Sequence, residues 1–366
     1  MKITIIAGAR PNFMKIAPII EAINLAATNG ANISYRLVHT GQHYDKNMSD
    51  NFFTQLGIPH PDVNLESGGG SQAEQTANIM VRFEKELLLN PADLVLVVGD
   101  VTSTMACSIV AKKLVTKVAH VEAGIRSGDI SMPEEVNRVV TDALADYFFT
   151  TSEMANDNLS KSGIDNNRIF FVGNTMIDTL LKNESRFQPP PVWETASLTK
   201  RNYFVLTLHR PANVDNASNL KELMNEIISS TKGLPVIFPV HPRTERNLKE
   251  IGIKAGNLFF VEPLSYLEFN FLVKHAKAVI TDSGGITEET TVMGVPCITL
   301  RDNTERPETV TTGTNELIGT NPKNIFPAMN KIFLGLWKKG GIPQFWDGKT
   351  SERIVSILMT LNSSLQ

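Results

Sequence analysis

Residues able to move protons or grip an anion collect where apolar runs end. Ile3–Ala7 runs into Gly8-Ala9-Arg10-Pro11-Asn12, with Lys15 one helical turn further on, and Leu94–Val98 runs into Gly99-Asp100. Lys117–Val121 runs into Glu122-Ala123-Gly124-Ile125-Arg126, and Pro133, a favoured first helical residue, then opens a helix carrying Glu134, Glu135 and Arg138. Glu134 and Arg138 are four apart and share a helix face. Asp100, Glu122 and Glu134 are therefore candidate proton carriers around one crevice, with Arg10, Lys15 and Arg138 as counter-charges. A carboxylate partly removed from water and close to others has a raised pKa and can exchange a proton near neutrality. Each residue also has a plainer explanation. A Glu–Arg pair at this spacing is an ordinary surface ion pair, and an acid after a strand is a common helix cap. Glu122 resists that treatment, because a carboxylate between Val121 and Ala123-Gly124 has no local reason to be there.

A second collection has the chemistry of an anion grip. The run Ala278–Thr281 breaks at Asp282-Ser283-Gly284-Gly285 into a helical pattern carrying Glu288 and Glu289. Glycines admit a backbone close to a ligand, and the open N–H groups of a first helical turn attract phosphate. His209-Arg210-Pro211 and His241-Pro242-Arg243 follow two further apolar runs, and Arg301 follows another. With no HExxH, CxxC or other Cys/His cluster, no protein-held metal is expected. With no GxGxxG after the first run, no nicotinamide cofactor is expected either.

The elements that must position these residues are strands alternating with helices. Strand-length runs at Ile3–Ala7, Ser34–His39, Leu94–Val98, Lys117–Val121, Tyr147–Thr150 and Ile169–Val172 are separated by helical patterns near Met14–Asn29, Gln72–Leu89, Thr102–Leu114, Pro133–Ala145, Glu153–Ser162 and Thr175–Asn183. A second set follows at Tyr203–Leu208, Val236–Val240, Leu258–Val261, Val279–Thr281 and Cys297–Leu300. This βαβ alternation predicts α/β architecture with two Rossmann-like, doubly wound domains. The expected division is residues 1–185, carrying the acids; a linker at 186–201 containing Pro189-Pro190-Pro191; a second domain at 202–348; and a last amphipathic helix at 349–366.

Composition narrows the function. The chain has 366 residues, a net charge of −3 and 42% apolar residues. Without a basic excess it is not expected to bind nucleic acid. No apolar run reaches membrane-spanning length and the amino terminus reads as a strand, so a cytoplasmic address is expected. Cys107 and Cys297 lie in apolar runs and read as buried structural thiols.

Taken in order, the motifs resemble the non-hydrolysing UDP-N-acetylglucosamine 2-epimerases. The resemblance rests on Gly8-Ala9-Arg10-Pro11 with Lys15, Thr40-Gly41-Gln42-His43, Gly99-Asp100, His120 through Arg126, and Pro133-Glu134-Glu135 with Asn137-Arg138. It continues through Val172-Gly173-Asn174, His209-Arg210, Pro239 through Pro242, Asp282 through Gly285 with Glu288-Glu289, and Arg301 through Glu308. It spans residues 3 to about 320.

The resemblance implies the GT-B type of two-domain fold, with the two domains facing across a cleft that holds the sugar nucleotide and the last helix packing back on the first domain, and a homodimer. It implies inversion at carbon 2 of UDP-N-acetylglucosamine to give UDP-N-acetylmannosamine, by elimination of UDP to a 2-acetamidoglucal and re-addition, for surface polysaccharide precursors. It assigns Asp100, Glu122, Glu134 and His209 to catalysis. Arg10, Lys15, Arg138, His241, Ser283, Gly284, Gly285, Glu289 and Arg301 go to the UDP-sugar and UDP, and Gln42 and His43 to an allosteric site. No cofactor is implied.

Three departures stand out. Asn12 occupies a position where many members have Glu, Ala212 follows His209-Arg210-Pro211 where a more polar segment is common, and the loop Glu66–Ser71 lacks a basic residue placed there by some members. The last predicts weak or absent allosteric activation. Three other readings remain open: a 2-epimerase of a UDP-2,3-diacetamido-uronic acid, a GT-B glycosyltransferase and a non-enzymatic sugar-nucleotide sensor.

Overall fold

The computed structural model describes residues 1–42, 53–240, 242–253 and 255–363. The chain forms two compact units, one of residues 1–182 with 344–366 and one of residues 183–343.

The first unit is built on a seven-stranded parallel sheet. Its strands are β1 (Lys2–Ala7), β2 (Ser34–His39), β3 (Val63–Asn64), β4 (Leu94–Val98), β5 (Lys117–Val121), β6 (Tyr147–Thr150) and β7 (Ile169–Phe171), in the order β3-β2-β1-β4-β5-β6-β7. The order reverses between β1 and β4, the place where open α/β sheets receive ligands. Val95 and Val97 of β4 pack with Phe83, Val110 and Phe148, while Leu94, Leu96 and Val98 are equally buried on the other face. Burial on both faces is why β4 reads as an unbroken apolar run. Two-residue β3 offers no such run and is not legible in sequence.

The first helix begins at Arg10, one turn before the expected Met14. Asn12 explains the early start. Its Oδ1 accepts the N–H groups of Gly8 and Ala9, both at 3.0 Å, and Pro11 costs nothing in a first turn.

The carboxyl-terminal segment belongs to this unit. Trp346 donates its indole N–H to the Thr151 carbonyl at 3.1 Å. Asp178 accepts the N–H groups of Thr350 (3.1 Å) and Ser351 (2.7 Å), capping the helix Thr350–Ser363 from outside it. Burial pushes the Asp178 carboxyl up, against those hydrogen bonds.

The second unit repeats the topology with six parallel strands: β8 (Phe204–Thr207), β9 (Val236–Pro239), β10 (Leu258–Val261), β11 (Ala278–Thr281), β12 (Cys297–Thr299) and β13 (Asn315–Leu317), in the order β10-β9-β8-β11-β12-β13. Alternate residues serve opposite cores. Phe204, Leu206, Ala278 and Ile280 pack with Leu223, Ile227 and Met329, whereas Val205 and Val279 pack with Tyr203, Leu272 and Val273. The segment expected as a linker at 186–201 is part of this second core: Val192 and Leu198 are buried in it, and Trp193 packs edge-on against Tyr203 and Phe271. Consecutive prolines keep it out of the sheet without keeping it out of the core. The unit boundaries accordingly fall at 182/183 and 343/344.

Candidate functional site

In the first unit the acids leave adjacent strands side by side, since Val98 and Val121 are register partners of β4 and β5. Glu122 sits at φ +72°, a left-handed conformation costing a non-glycine residue about 1–2 kcal/mol. Its own N–H and that of Ala123 both donate to the Phe149 carbonyl, at 2.9 and 3.1 Å, which holds the turn. The carboxylate is 7% exposed and ion-paired with Lys15. A Cβ on Gly99, itself at φ +69°, would lie 3.0 Å from Lys15 Nζ, so the pair closes over a position where only glycine leaves room. Asn12 ties this corner together by donating its side-chain N–H to the Val98 carbonyl at 3.0 Å. A Glu there could not make that bond, so the departure at position 12 has a structural use.

Asp100 is ion-paired with Arg138, and its carbonyl accepts the Asn137 side chain at 2.8 Å. The Glu134–Arg138 pairing expected from helical spacing is replaced by another. Arg138 turns inward to Asp100 and to Glu135, at 2.8 Å. Glu135 is spent on structure, since its oxygens also accept the N–H groups of Ser127 (2.9 Å) and Gly128 (3.1 Å). Burial pushes the Glu135 carboxyl up, and these N–H donors with Arg138 more than offset it, leaving it below the ordinary range. Glu134, one residue earlier, is exposed. Neighbouring acids on one helix thus have opposite fates, and only the buried one is consumed. Arg10 is exposed at the first residue of its helix.

Of the suggested allosteric pair, His43 lies outside the described residues. Gln42 Oε1 accepts the backbone N–H (3.2 Å) and hydroxyl (2.8 Å) of Ser103, so this side chain caps the helix Thr102–Lys113. Arg82 reaches the loop that lacks a basic residue of its own and donates to the carbonyls of Leu65 (2.5 Å) and Glu66 (3.1 Å).

In the second unit the corresponding place lies between β8 and β11, with Thr207 and Thr281 in register and their hydroxyls 2.6 Å apart. Asp282, immediately beyond β11, is fully buried and organises the segment after β8. It accepts the backbone N–H groups of His209 (3.1 Å) and Arg210 (3.0 Å) and the Asn213 amide (3.1 Å). It also takes the His209 ring at Nδ1, 2.8 Å away. Burial pushes the Asp282 carboxyl up, but His209 and these N–H donors outweigh it and hold it below its usual value. A carboxylate on Nδ1 fixes the imidazole tautomer and turns Nε2 outward, and the His209 side chain is 47% exposed. In the sequence Asp282 reads only as a break in an apolar run. The signal that marks Glu122, an acid ending a wholly apolar strand, applies to it equally.

Ser283 precedes the helix Gly284–Val292 without capping it, so its hydroxyl and the first N–H groups, including those of Gly284 and Gly285, are unspent on each other. Glu289 is buried deeper in the helix, where it accepts the Asn270 amide at 3.4 Å. Burial raises the neighbouring Tyr266 hydroxyl, and the Glu289 charge adds to the effect. Arg301, expected to meet an anion directly, gives both terminal nitrogens to Glu305, at 2.7 and 2.8 Å, and is 4% exposed. Burial pushes the Glu305 carboxyl up, yet the Arg301 hydrogen bonds and charge hold it down at about 2. This ion pair packs against Gly284, whose Cβ would lie 3.8 Å from Glu305 and 3.9 Å from Arg301. His241 lies outside the described residues. Cys107 and Cys297 are fully buried, and burial pushes both thiols up, that of Cys297 to about 11. Among the described residues no group of three or more potential ligands could hold a metal ion, and no helix is long and apolar enough to cross a membrane.

Two parallel sheets of the same strand order, each with its polar residues beyond the carboxyl ends at the point of reversal, define a two-domain α/β protein of the GT-B type. The sequence model of the UDP-N-acetylglucosamine 2-epimerase family matches residues 25–359. The chain belongs to that family and is an epimerase. It is 43% identical to the UDP-N-acetylglucosamine 2-epimerase of Methanocaldococcus jannaschii, across 98% of this chain and 99% of that one. The crystal structure of the M. jannaschii enzyme in complex with UDP-GlcNAc and UDP superposes with a TM-score of 0.87 at 42% identity, covering 98% of this chain and 100% of the other. The UDP-2,3-diacetamido-2,3-dideoxy-D-glucuronate 2-epimerase of Pseudomonas aeruginosa is 37% identical, across 99% of this chain and 100% of its own.

Proposed function

We propose that this enzyme interconverts UDP-N-acetylglucosamine and UDP-N-acetylmannosamine. Carbon 2 loses its proton to an enzyme carboxylate while the bond from carbon 1 to the UDP oxygen breaks, giving a bound 2-acetamidoglucal and UDP. The proton returns to the opposite face as UDP re-adds to carbon 1. Two faces need two proton carriers, drawn from Asp100, Glu122 and Glu134. General acid–base groups of this kind contribute about 10²–10⁴-fold each. Lys15 holds Glu122, and Arg138 holds Asp100, in ion pairs.

In this reading the diphosphate is met by Arg10, Ser283 and the N–H groups of Gly284 and Gly285, with His209 Nε2 toward the departing oxygen and Glu289 toward the ribose. Arg301 acts indirectly by bracing Gly284 through Glu305. The observation that carries the proposal is the buried Lys15–Glu122 pair held on a strained turn beside Asp100, because a desolvated acid next to a second acid on the adjacent strand end suits proton transfer better than packing. The relative solved with UDP-GlcNAc and UDP supports the substrate class. A cytosolic homodimer supplying surface polysaccharide precursors belongs to the same proposal.

The P. aeruginosa relative favours one second reading, epimerisation of a UDP-2,3-diacetamido-uronic acid by the same proton chemistry. Membership of an epimerase family sets the glycosyltransferase and sensor readings aside.

Incubation with UDP-N-acetylglucosamine in deuterated water tests the proposal. Deuterium is expected at carbon 2 of the product and, as the reaction reverses, of recovered substrate. Epimer formation with no exchange into either sugar would overturn the mechanism, and turnover of the uronic acid alone would transfer it to the second reading.

A further inference from the structure

The acids of the first unit share a buried support. His120, the fourth residue of β5, is completely buried and places Nε2 2.9 Å from the Gly99 carbonyl and Nδ1 2.7 Å from Asp142 Oδ1. A carbonyl oxygen only accepts hydrogen bonds, as does a carboxylate. The ring therefore ties the Gly99 carbonyl to the Asp142 carboxylate, one nitrogen facing each. The other Asp142 oxygen accepts the Gly124 N–H at 3.1 Å and Arg126 at 2.6 Å. Burial pushes the Asp142 carboxyl up, and His120 and Arg126 outweigh it, so it stays below the ordinary range.

The segments this network holds are more telling than the network itself. Gly99 immediately precedes Asp100, Gly124 is two residues beyond Glu122, and Asp142 lies on the helix Pro133–Leu144 that carries Glu134 and Arg138. Both glycines have positive φ, +69° and +77°, and a Cβ on Gly124 would fall 2.3 Å from the Ala155 carbonyl. Both turns are joined to this one network, Gly99 through its carbonyl and Gly124 through its N–H.

We propose that His120, acting with Asp142, is a positioning residue for the epimerisation: one buried histidine–carboxylate pair sets the two turns from which Asp100 and Glu122 reach the sugar. His120 touches no substrate. Its effect is on the relative placement of proton carriers, where about 1 Å of displacement can cost on the order of 100-fold. The proposal rests on the epimerase reading above and adds to it a residue with no part in the chemistry. One consequence separates positioning from stability. Elimination and re-addition need carriers on opposite faces, so misplacing one slows the return of glucal and UDP to product and lets them escape. A merely destabilised enzyme loses both outcomes in proportion.

The test compares wild type with His120→Gln, whose amide donates to only one of the two partners, and with Asp142→Asn, which keeps shape and removes the carboxylate. Calorimetric binding of UDP, measured on each full-length variant, checks that the second unit is intact. The expected result is a fall in kcat of about 10- to 100-fold, with KM and UDP affinity within about threefold of wild type. Free UDP released per epimer formed should rise. If both variants bind UDP and keep wild-type kcat and release ratio, the proposal is overturned. It is likewise overturned if kcat falls with the release ratio unchanged. If His120→Gln does not fold, Asp142→Asn carries the same comparison alone. A wild type that neither epimerises nor exchanges carbon 2 hydrogen sinks the functional reading, which this comparison reports separately.

Discussion

The two units share a strand order and place their polar residues at equivalent points, yet they equip those points differently. Beyond β4 and β5 the first unit presents side-chain carboxylates, Glu122 and Asp100, each ion-paired with a cation, one of them on a strained turn. Beyond β8 and β11 the second unit presents a helix start, and its buried acid, Asp282, faces inward to organise His209, Arg210 and Asn213. Proton transfer requires groups that change charge, which must be held in desolvated pairs and tuned. Gripping a diphosphate requires fixed donors that never change charge, and backbone N–H groups supply these without reorganisation. Under the proposed function one topology would serve both, because the reversal of strand order leaves an opening at the carboxyl ends, whatever lines it.

Mutagenesis breaks or sharpens this contrast. The largest effect is expected for Glu122→Gln and Asp100→Asn, which should lower kcat by about 10²–10⁴-fold while leaving UDP affinity near wild type. Ser283→Ala and His209→Ala should instead weaken UDP binding, measured by calorimetry. Equal losses of UDP affinity across all four would erase the division of labour between the units.

Next in size is Asp282→Asn. One of the two side-chain oxygens becomes an N–H₂ that faces donors, so His209 loses its fixed tautomer and a buried donor goes unmet, at about 1–3 kcal/mol. His209-dependent steps should slow by about 10- to 100-fold. A D282N variant as active as wild type would mean that the outward Nε2 plays no part.

The last effect concerns stability and leaves turnover least changed. Glu305 is held at about 2, against 4.5 for an ordinary Glu, and a depressed carboxylate contributes stability above its unfolded pKa that is lost as pH falls toward the folded value. That contribution is roughly 3 kcal/mol at neutral pH. Urea unfolding should therefore show Glu305→Gln less stable than wild type at pH 7, with the gap narrowing steadily below pH 5. A gap independent of pH would mean that the charge of Glu305, paired with Arg301, contributes nothing to stability.

Much of this is legible in the order of residues. Continuous apolar runs mark the central strands because those strands are buried on both faces, and acids or glycines ending such runs mark the site. Edge strands β3 and β13, of two and three residues, escape because short edges need no apolar run. The pairing of Arg138 escapes because helical spacing points equally to Glu134 and to Glu135, and only packing against Asp100 and the 127–128 turn chooses the second. Arg301 looks available in sequence and proves occupied.

The sequence alone determined the alternation of strands and helices, the membership of a family and the residue types gathered at strand ends, since all of these follow from local periodicity and local chemistry. Tertiary structure alone decided which charges are spent on one another and which face outward. It committed Glu135 and left Glu134 exposed, and it put Asp282 behind His209 and Asp142 behind His120. Those outcomes depend on distances between segments far apart in the chain, and a carboxylate's role is set by whichever donor the fold brings to it.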